Sequence, residues 1–135
     1  MKAAGYSGTP LHKKLGIKPG QRAWFMGAPV GYEEELRQAG NFTRVGRLTE
    51  NLDFLHFFTA SRELLRMEMP KLREALNSNG MLWISWPKKS SRASADLDEN
   101  IVREIGLKAG LVDVKVCAVD EIWSGLKFVI PLKDR

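Results

Sequence analysis

Two nearly unbroken runs of apolar residues stand in the middle of the chain, at 52–59 and 81–86. Runs of this length without polar alternation are typical of strands that are buried on both faces, as in parallel sheets. A shorter apolar segment, Arg22–Met26, predicts another strand, and we place a fourth at 42–48, where Gly46 interrupts the pattern. The hydrophobic pattern therefore predicts a sheet whose central strands are covered on both sides.

Helical spacing appears between these strands. Ser61 is a typical capping residue, and apolar positions recur every three or four residues after it, which predicts a helix that runs to about residue 77. Pro70 lies inside this helix and is expected to kink or divide it, and Gly80 is expected to end it. Further helices are predicted at 10–15, 32–39 and 96–109.

The C-terminal part alternates between apolar and polar positions. Residues 111–119 predict a strand with its valines on one face and Asp113, Lys115 and Cys117 on the other, and residues 126–132 predict its antiparallel partner. Strands that alternate with helices and end in a hairpin predict an α/β fold. We expect a three-layer Rossmann-like sandwich, mostly parallel, with a C-terminal antiparallel hairpin.

Composition narrows the class of protein. The 135 residues, 44% of them hydrophobic, predict one globular domain over 1–135 with an irregular N-terminal arm at 1–8. No apolar run approaches the roughly 20 residues that span a bilayer, and the N-terminus lacks the apolar stretch of a secretory signal. Cys117 is the only cysteine, which excludes a disulfide framework. We therefore expect a cytoplasmic protein.

The net charge of +5 lies in the first 22 residues, which carry five basic residues and no acid. A nucleic-acid-binding domain usually shows a basic stripe across its folded face, so a charged arm supports that function weakly. Solvated surface is the favoured interpretation of the arm and of a second basic cluster, Lys88, Lys89 and Arg92. Nucleic-acid binding through the arm is thus the least favoured function.

Several segments resemble class I S-adenosylmethionine-dependent methyltransferases. They are Leu15-Gly16-Ile17-Lys18-Pro19-Gly20, the strand Arg22–Met26, the loop Gly27-Ala28-Pro29-Val30-Gly31 and the turn Asn79-Gly80-Met81-Leu82-Trp83-Ile84. The resemblance implies a methyltransferase-like fold in which S-adenosylmethionine binds beside the glycine-rich loop.

The chain departs from that family at the cofactor positions. Pro29 stands where the family has its middle glycine, and it lacks an N–H group. Phe25 stands where an acid is common, and Glu50 is the candidate for the acid that binds ribose, although it is poorly placed. The chain is also short by about one strand–helix unit. The resemblance therefore implies the fold more strongly than the cofactor site.

A second resemblance covers essentially the whole chain. It is to a family of small bacterial proteins of unknown function, and it implies no activity. The segments that carry it are Gly5-Tyr6-Ser7-Gly8-Thr9-Pro10-Leu11, Trp86-Pro87-Lys88-Lys89 and residues 112–128.

Candidate ligand-binding residues follow from the expected sheet. Ligands bind open α/β sheets beyond the carboxyl ends of the strands, so we expect the loops after three strands to meet at one rim. For the glycine loop, the favoured interpretation is a tight turn between a strand and a helix. For residues 86–89 there are two equal alternatives. Either the tryptophan stacks on a ligand and the lysines bind an anion, or the tryptophan lies in the core and the lysines are solvated. The candidates are Gly27, Tyr32, Trp86, Lys88 and Lys89.

Catalytic and metal-binding patterns are weak in this sequence. His56 lies in an apolar run, where a hydrogen-bonded core histidine is expected, and it stands 44 positions from His12, so we expect no metal. We favour a noncatalytic function: binding of a small anionic or nucleotide-like ligand at the rim, or a protein interaction. A diverged S-adenosylmethionine-dependent methyltransferase is the alternative. Apolar surface left by the missing strand–helix unit is expected to favour a homodimer.

Overall fold

The computed structural model describes residues 8–91 and 95–135, and this part of the chain forms six strands and four α-helices. The strands are β1 (Arg22–Met26), β2 (Thr43–Arg44), β3 (Leu52–Phe58), β4 (Leu76–Pro87), β5 (Val112–Ala118) and β6 (Trp123–Val129). The helices are α1 (Leu11–Leu15), α2 (Tyr32–Leu36), α3 (Arg62–Ala75) and α4 (Glu99–Lys108). In this part of the chain no helix has the length and apolar character needed to cross a membrane.

The strands form one sheet in the order β2-β1-β3-β4-β6-β5. The pairings among β1, β2, β3 and β4 are parallel, whereas β6 is antiparallel to both β4 and β5. The mostly parallel Rossmann-like sheet with an antiparallel C-terminal pair is thus confirmed. Chain order reverses at β1, which lies between β2 and β3, and open α/β sheets bind ligands at such a reversal.

Both faces of the sheet are covered, as the apolar runs predicted. Alternate residues of β3 enter separate cores: Leu55 and Phe57 pack on the side of α3 and α4, and Phe54 and Phe58 on the side of α1 and α2. All four are buried. The β3 strand therefore needs apolar residues at successive positions, which explains its unbroken run.

The boundary between α3 and β4 differs from the prediction. The helix ends at Ala75, and Gly80 lies inside β4 rather than at the end of the helix. A Cβ atom at position 80 would lie 2.8 Å from the Leu52 carbonyl oxygen, so the close approach of two strands requires this glycine. Pro70 does not divide α3, because the helix buries an apolar side that compensates for one missing hydrogen bond.

Two further predictions about strands are corrected. The second strand covers Thr43–Arg44 only, not 42–48. In β5 the register with β6 shifts between Asp113 and Lys115, which makes Val114 the extra residue of a β-bulge. Asp113 therefore faces α4, where its carboxylate lies 2.8 Å from the guanidinium of Arg103, while Lys115 and Cys117 face α1. The predicted common face of these three residues is wrong.

Candidate functional site

The carboxyl ends of the parallel strands form a continuous rim. The Gly27 backbone after β1 touches the end of β3 at Phe58. The Thr59 amide, after β3, donates to the carbonyl oxygen of Ser85 in β4 (3.0 Å). The Lys88 amide, after β4, donates to the carbonyl oxygen of Ile122 in the turn before β6 (2.7 Å). The rim thus brings together the three loops that the sequence pointed to.

Gly27 is required by strand packing. Its φ angle is +76°, and a Cβ atom at this position would lie 2.6 Å from the Phe58 carbonyl oxygen. Both the backbone conformation and the contact exclude a larger residue. The close approach of β1 to β3 therefore accounts for this glycine, and its part in ligand binding stays a prediction.

One cleft of about 340 Å³ opens on the α2 side of the rim, and we call it the polar cleft. Glu33 borders it and holds two arginines, with Arg44 Nη1 at 2.8 Å and Arg37 Nη2 at 3.0 Å from its carboxylate oxygens. Charge in this cleft is therefore largely paired. Its lining consists of Phe25, Gly27, Ala28, Pro29, Gly31, Tyr32, Glu33, Glu34 and Arg44.

A second cleft, also about 340 Å³, opens on the α3 side of the same strand ends, and we call it the apolar cleft. Met26 and Leu64 line it and are 50% and 42% exposed, so its wall is open to a ligand. We did not predict this cleft. The alternation along β1, which puts Trp24 and Met26 opposite Phe25, was the signal that could have found it. Its lining consists of Trp24, Met26, Gly46, Arg47, Leu48, Phe57, Leu64, Glu68 and Lys71.

A buried chain of hydrogen bonds lies beneath the polar cleft. His56 Nδ1 is 2.5 Å from Tyr32 Oη, and His56 Nε2 is 2.7 Å from Ser85 Oγ. All three side chains are buried, and burial lowers the pKa of His56 and raises the pKa of Tyr32. His56 is thus the hydrogen-bonded core histidine that was expected. The Tyr32 hydroxyl points into the core, Tyr32 also lines the polar cleft, and its part in ligand binding stays a prediction.

Trp86 belongs to the core. It is 6% exposed and packs among the apolar residues beneath α3 and α4, so it presents no stacking face at the rim. This position favours the core-tryptophan alternative for 86–89, and a part of Trp86 in ligand binding stays a prediction. The Trp86–Pro87 peptide is trans.

The two candidate lysines lie on the far part of the rim. Lys88 Nζ donates to the Asp120 carbonyl oxygen (2.8 Å), while Lys89 is exposed. Both border a cleft of about 470 Å³ together with Asp96 and Asp98, whose carboxylates oppose an anionic ligand there. Anion binding by Lys88 and Lys89 stays a prediction. Arg92, the third member of this basic cluster, lies outside the described residues.

The positions expected to hold a methyltransferase cofactor are filled differently. Phe25 is packed in the core. The Glu50 carbonyl accepts from Arg22 Nη1 (3.2 Å) at the first residue of β1, which places Glu50 near the opposite edge of the sheet from the rim. At the carboxyl end of β2 stands Arg44 instead of an acid. Other carboxylates border the two clefts: Glu68 lines the apolar cleft, and Glu33 and Glu34 line the polar cleft.

Reactive side chains outside the rim add little chemistry. Burial raises the pKa of the half-buried Cys117 thiol, although three lysine ammonium groups oppose that rise. Within residues 8–91 and 95–135, no group of three His, Cys, Asp or Glu side chains could hold a metal ion. The clefts at the rim therefore remain the candidate site.

Comparison with known proteins shows the fold. No family model matches the chain, and no curated protein does. An S-adenosylmethionine-dependent methyltransferase from Aquifex aeolicus matches with a TM-score of 0.61 at 17% identity, over 88% of this chain and 87% of that one. Magnesium protoporphyrin IX methyltransferase from Synechocystis, with bound S-adenosylhomocysteine, matches with a TM-score of 0.58 at 12% identity, over 86% and 77%. The chain therefore has a methyltransferase-like fold, and at these identities the likeness extends to the fold alone.

Proposed function

We propose that this chain binds an S-adenosyl compound at the carboxyl end of β1, as a diverged relative of the S-adenosylmethionine-dependent methyltransferases. One observation carries the proposal: the two clefts of the molecule that flank Met26 and Gly27 lie where the strand order reverses. Structures with a similar sheet include one with bound S-adenosylmethionine and one with bound S-adenosylhomocysteine.

The two clefts suit the two halves of such a ligand. An adenine ring is flat and weakly polar, and the apolar cleft offers Trp24, Met26 and Leu64 as its wall. The amino-acid end of the ligand carries both a positive and a negative charge. The polar cleft offers the Glu33–Arg44 ion pair, which can exchange its partners for those charges.

Noncatalytic binding is the second candidate function. S-adenosylmethionine supplies an activated methyl group when bound, but its transfer to a weak nucleophile needs a nearby base. Two polar side chains near this part of the rim are already engaged. Thr59 Oγ1, after β3, accepts from the Ser61 amide (3.1 Å), and Asp120 Oδ1, in the turn between β5 and β6, accepts from the amides of Ile122 and Trp123. This arrangement favours a binding protein or a transfer to a nucleophile that needs no base.

Isothermal titration calorimetry of the full chain tests the proposal. The titrants are S-adenosylhomocysteine, S-adenosylmethionine, adenosine and ATP. We expect the two S-adenosyl compounds to bind at least tenfold more tightly than ATP. Tighter binding of ATP would favour a nucleotide-binding function instead, and a flat titration with all four compounds would reject ligand binding at this rim.

A pair of matched variants locates the site. Leu64→Glu puts a charge into the apolar cleft, and Leu107→Glu puts the same charge on α4, where Leu107 is 48% exposed and lies outside both clefts. We expect Leu64→Glu to weaken S-adenosylhomocysteine binding by about tenfold or more, because a charge in an apolar wall must be desolvated. Equal affinities of the two variants would move the site away from the apolar cleft.

A further inference from the structure

Five lysines gather on the α1 side of the sheet, away from both clefts at the end of β1. The residues of this lysine surface are Lys14, Lys18, Lys88, Lys115 and Lys127. Lys115 Nζ donates to the Lys14 carbonyl oxygen (3.0 Å), and Lys14 Nζ lies 3.4 Å from the Ala118 carbonyl oxygen. The contact therefore brings the largely buried Lys14 of α1 against the exposed Lys115 of the C-terminal hairpin, although the two residues are 101 positions apart in the sequence.

Two of these lysines face each other across adjacent strands. Lys115 of β5 and Lys127 of β6 are direct register partners. Like charges at directly opposite positions destabilise a sheet. Burial lowers the pKa of Lys127, and the nearby charges of Lys115 and Lys18 lower it further. The fold thus keeps an unfavourable arrangement of charges on this face.

No carboxylate of the described residues neutralises Lys18, Lys115 or Lys127. The bulge at Val114 turns Asp113 to the opposite face, where it pairs with Arg103. Since these three ammonium groups have no acidic partner among the described residues, a bound anion would relieve their repulsion.

We propose that the lysine surface binds the sugar–phosphate backbone of a single-stranded nucleic acid. Phosphate contacts supply sequence-independent binding of nucleic acids, and lysine ammonium groups make such contacts. Two exposed large apolar residues lie next to members of the lysine surface, Ile122, whose carbonyl accepts from the Lys88 amide, and Val114 at the bulge beside Lys115. Val116 lies on the other side of the sheet, because it pairs with Leu126, which packs on the α3 and α4 side. A protein interface or a membrane-binding surface is expected to carry a larger apolar patch than these two residues form, so nucleic acid fits the lysine surface better.

The sequence alone does not show that the residues of the lysine surface lie together. The basic residues of the first 22 positions suggested a charged arm, and Lys115 and Lys127 were separate residues of a hairpin. The fold places Lys14 and Lys18 on the same side as Lys115 and Lys127. The proposal is independent of S-adenosyl binding, because no lysine of this surface lines either the polar or the apolar cleft.

Fluorescence anisotropy with a labelled single-stranded RNA of mixed sequence tests the proposal. We compare the wild-type chain with the double variant Lys115→Gln/Lys127→Gln at about 50 mM and about 200 mM salt. The double variant is expected to bind about tenfold more weakly at the lower salt concentration and to show a salt slope smaller by about 1.4, since each lost phosphate contact on a single strand accounts for about 0.7. Its melting temperature should stay level or rise, since a like-charge pair is removed.

The control is Lys71→Gln/Lys108→Gln, which removes the same charge from lysines that pair with Glu68 and Glu104 on α3 and α4. This control should keep the wild-type salt slope. Lys18→Gln changes an exposed residue outside the strands and is expected to lower the slope by about 0.7, even if the double variant loses stability. Equal losses in both double variants, no binding by the wild type at low salt, or tighter binding to phosphatidylserine vesicles than to RNA would each overturn the proposal.

Discussion

The Tyr32 hydroxyl lies 2.5 Å from His56 Nδ1 and thereby ties the helix beside the polar cleft to the central strand of the sheet. Both residues are buried, so water cannot replace either partner. Tyr32→Phe leaves one buried ring nitrogen unpaired and is expected to lower the free energy of unfolding by about 1–3 kcal/mol. Urea denaturation measures the loss. Thr49→Ala, which removes an exposed hydroxyl bonded to Arg22, is the control and should stay within about 0.5 kcal/mol of wild type.

The buried His56 also predicts how stability depends on pH. Burial lowers the pKa of His56 in the folded chain, so the unfolded chain binds its proton first as the pH falls below about 6.5. Stability is therefore complete above that pH. It falls by up to about 1.4 kcal/mol per pH unit below it, until the folded state also takes up the proton. Urea denaturation at a series of pH values from neutral to mildly acidic measures this slope.

Two histidine variants assign that slope to one residue. His12→Gln changes the half-buried histidine of α1 and should leave the slope in place. His56→Gln, which has no ring to protonate, should remove it between pH 6.5 and 5.5 while lowering stability at all pH values. A slope that survives in His56→Gln would assign the dependence to another group.

A comparison of Gly27 and Gly20 distinguishes two reasons why a position requires glycine: a positive φ angle and a close contact that leaves no room for a Cβ atom. Both have positive φ angles, +76° and +84°, but a Cβ atom at Gly20 would meet nothing within 4 Å, whereas one at Gly27 would meet the Phe58 carbonyl oxygen. Gly20→Ala should cost about 1–2 kcal/mol, from backbone strain alone. Gly27→Ala should cost at least about 1 kcal/mol more, because β1 must move away from β3. Similar losses in thermal or urea denaturation would contradict the contact.

The elements predicted from the sequence were those with strong local signals. The strand Arg22–Met26 has the predicted bounds, and Ser61 caps α3 through its side chain, which accepts from the Leu64 amide. The long apolar runs identified the central strands because both faces of a parallel sheet are buried. The local spacing of apolar residues was therefore sufficient to predict the mostly parallel fold.

Features that depend on tertiary contacts were not predictable from local spacing. The β-bulge at Val114 arises from pairing with β6 and reverses the expected face of Asp113. The apolar cleft arises because α3 and the segment after β2 leave Met26 half exposed. Tyr32 was chosen for its place near a strand end, whereas its hydroxyl is engaged by His56, a residue 24 positions away.

The two alternatives for Trp86 make opposite predictions about stability. A stacking residue at the rim could be replaced with little effect on folding, but Trp86 packs in the core and is 6% exposed. Trp86→Ala is therefore expected to lower the free energy of unfolding by about 3–5 kcal/mol. Lys89→Ala, three positions along and exposed, should change it by less than about 0.5 kcal/mol. Chemical denaturation of both variants decides between the alternatives, and a mild Trp86→Ala would return that side chain to the list of ligand contacts.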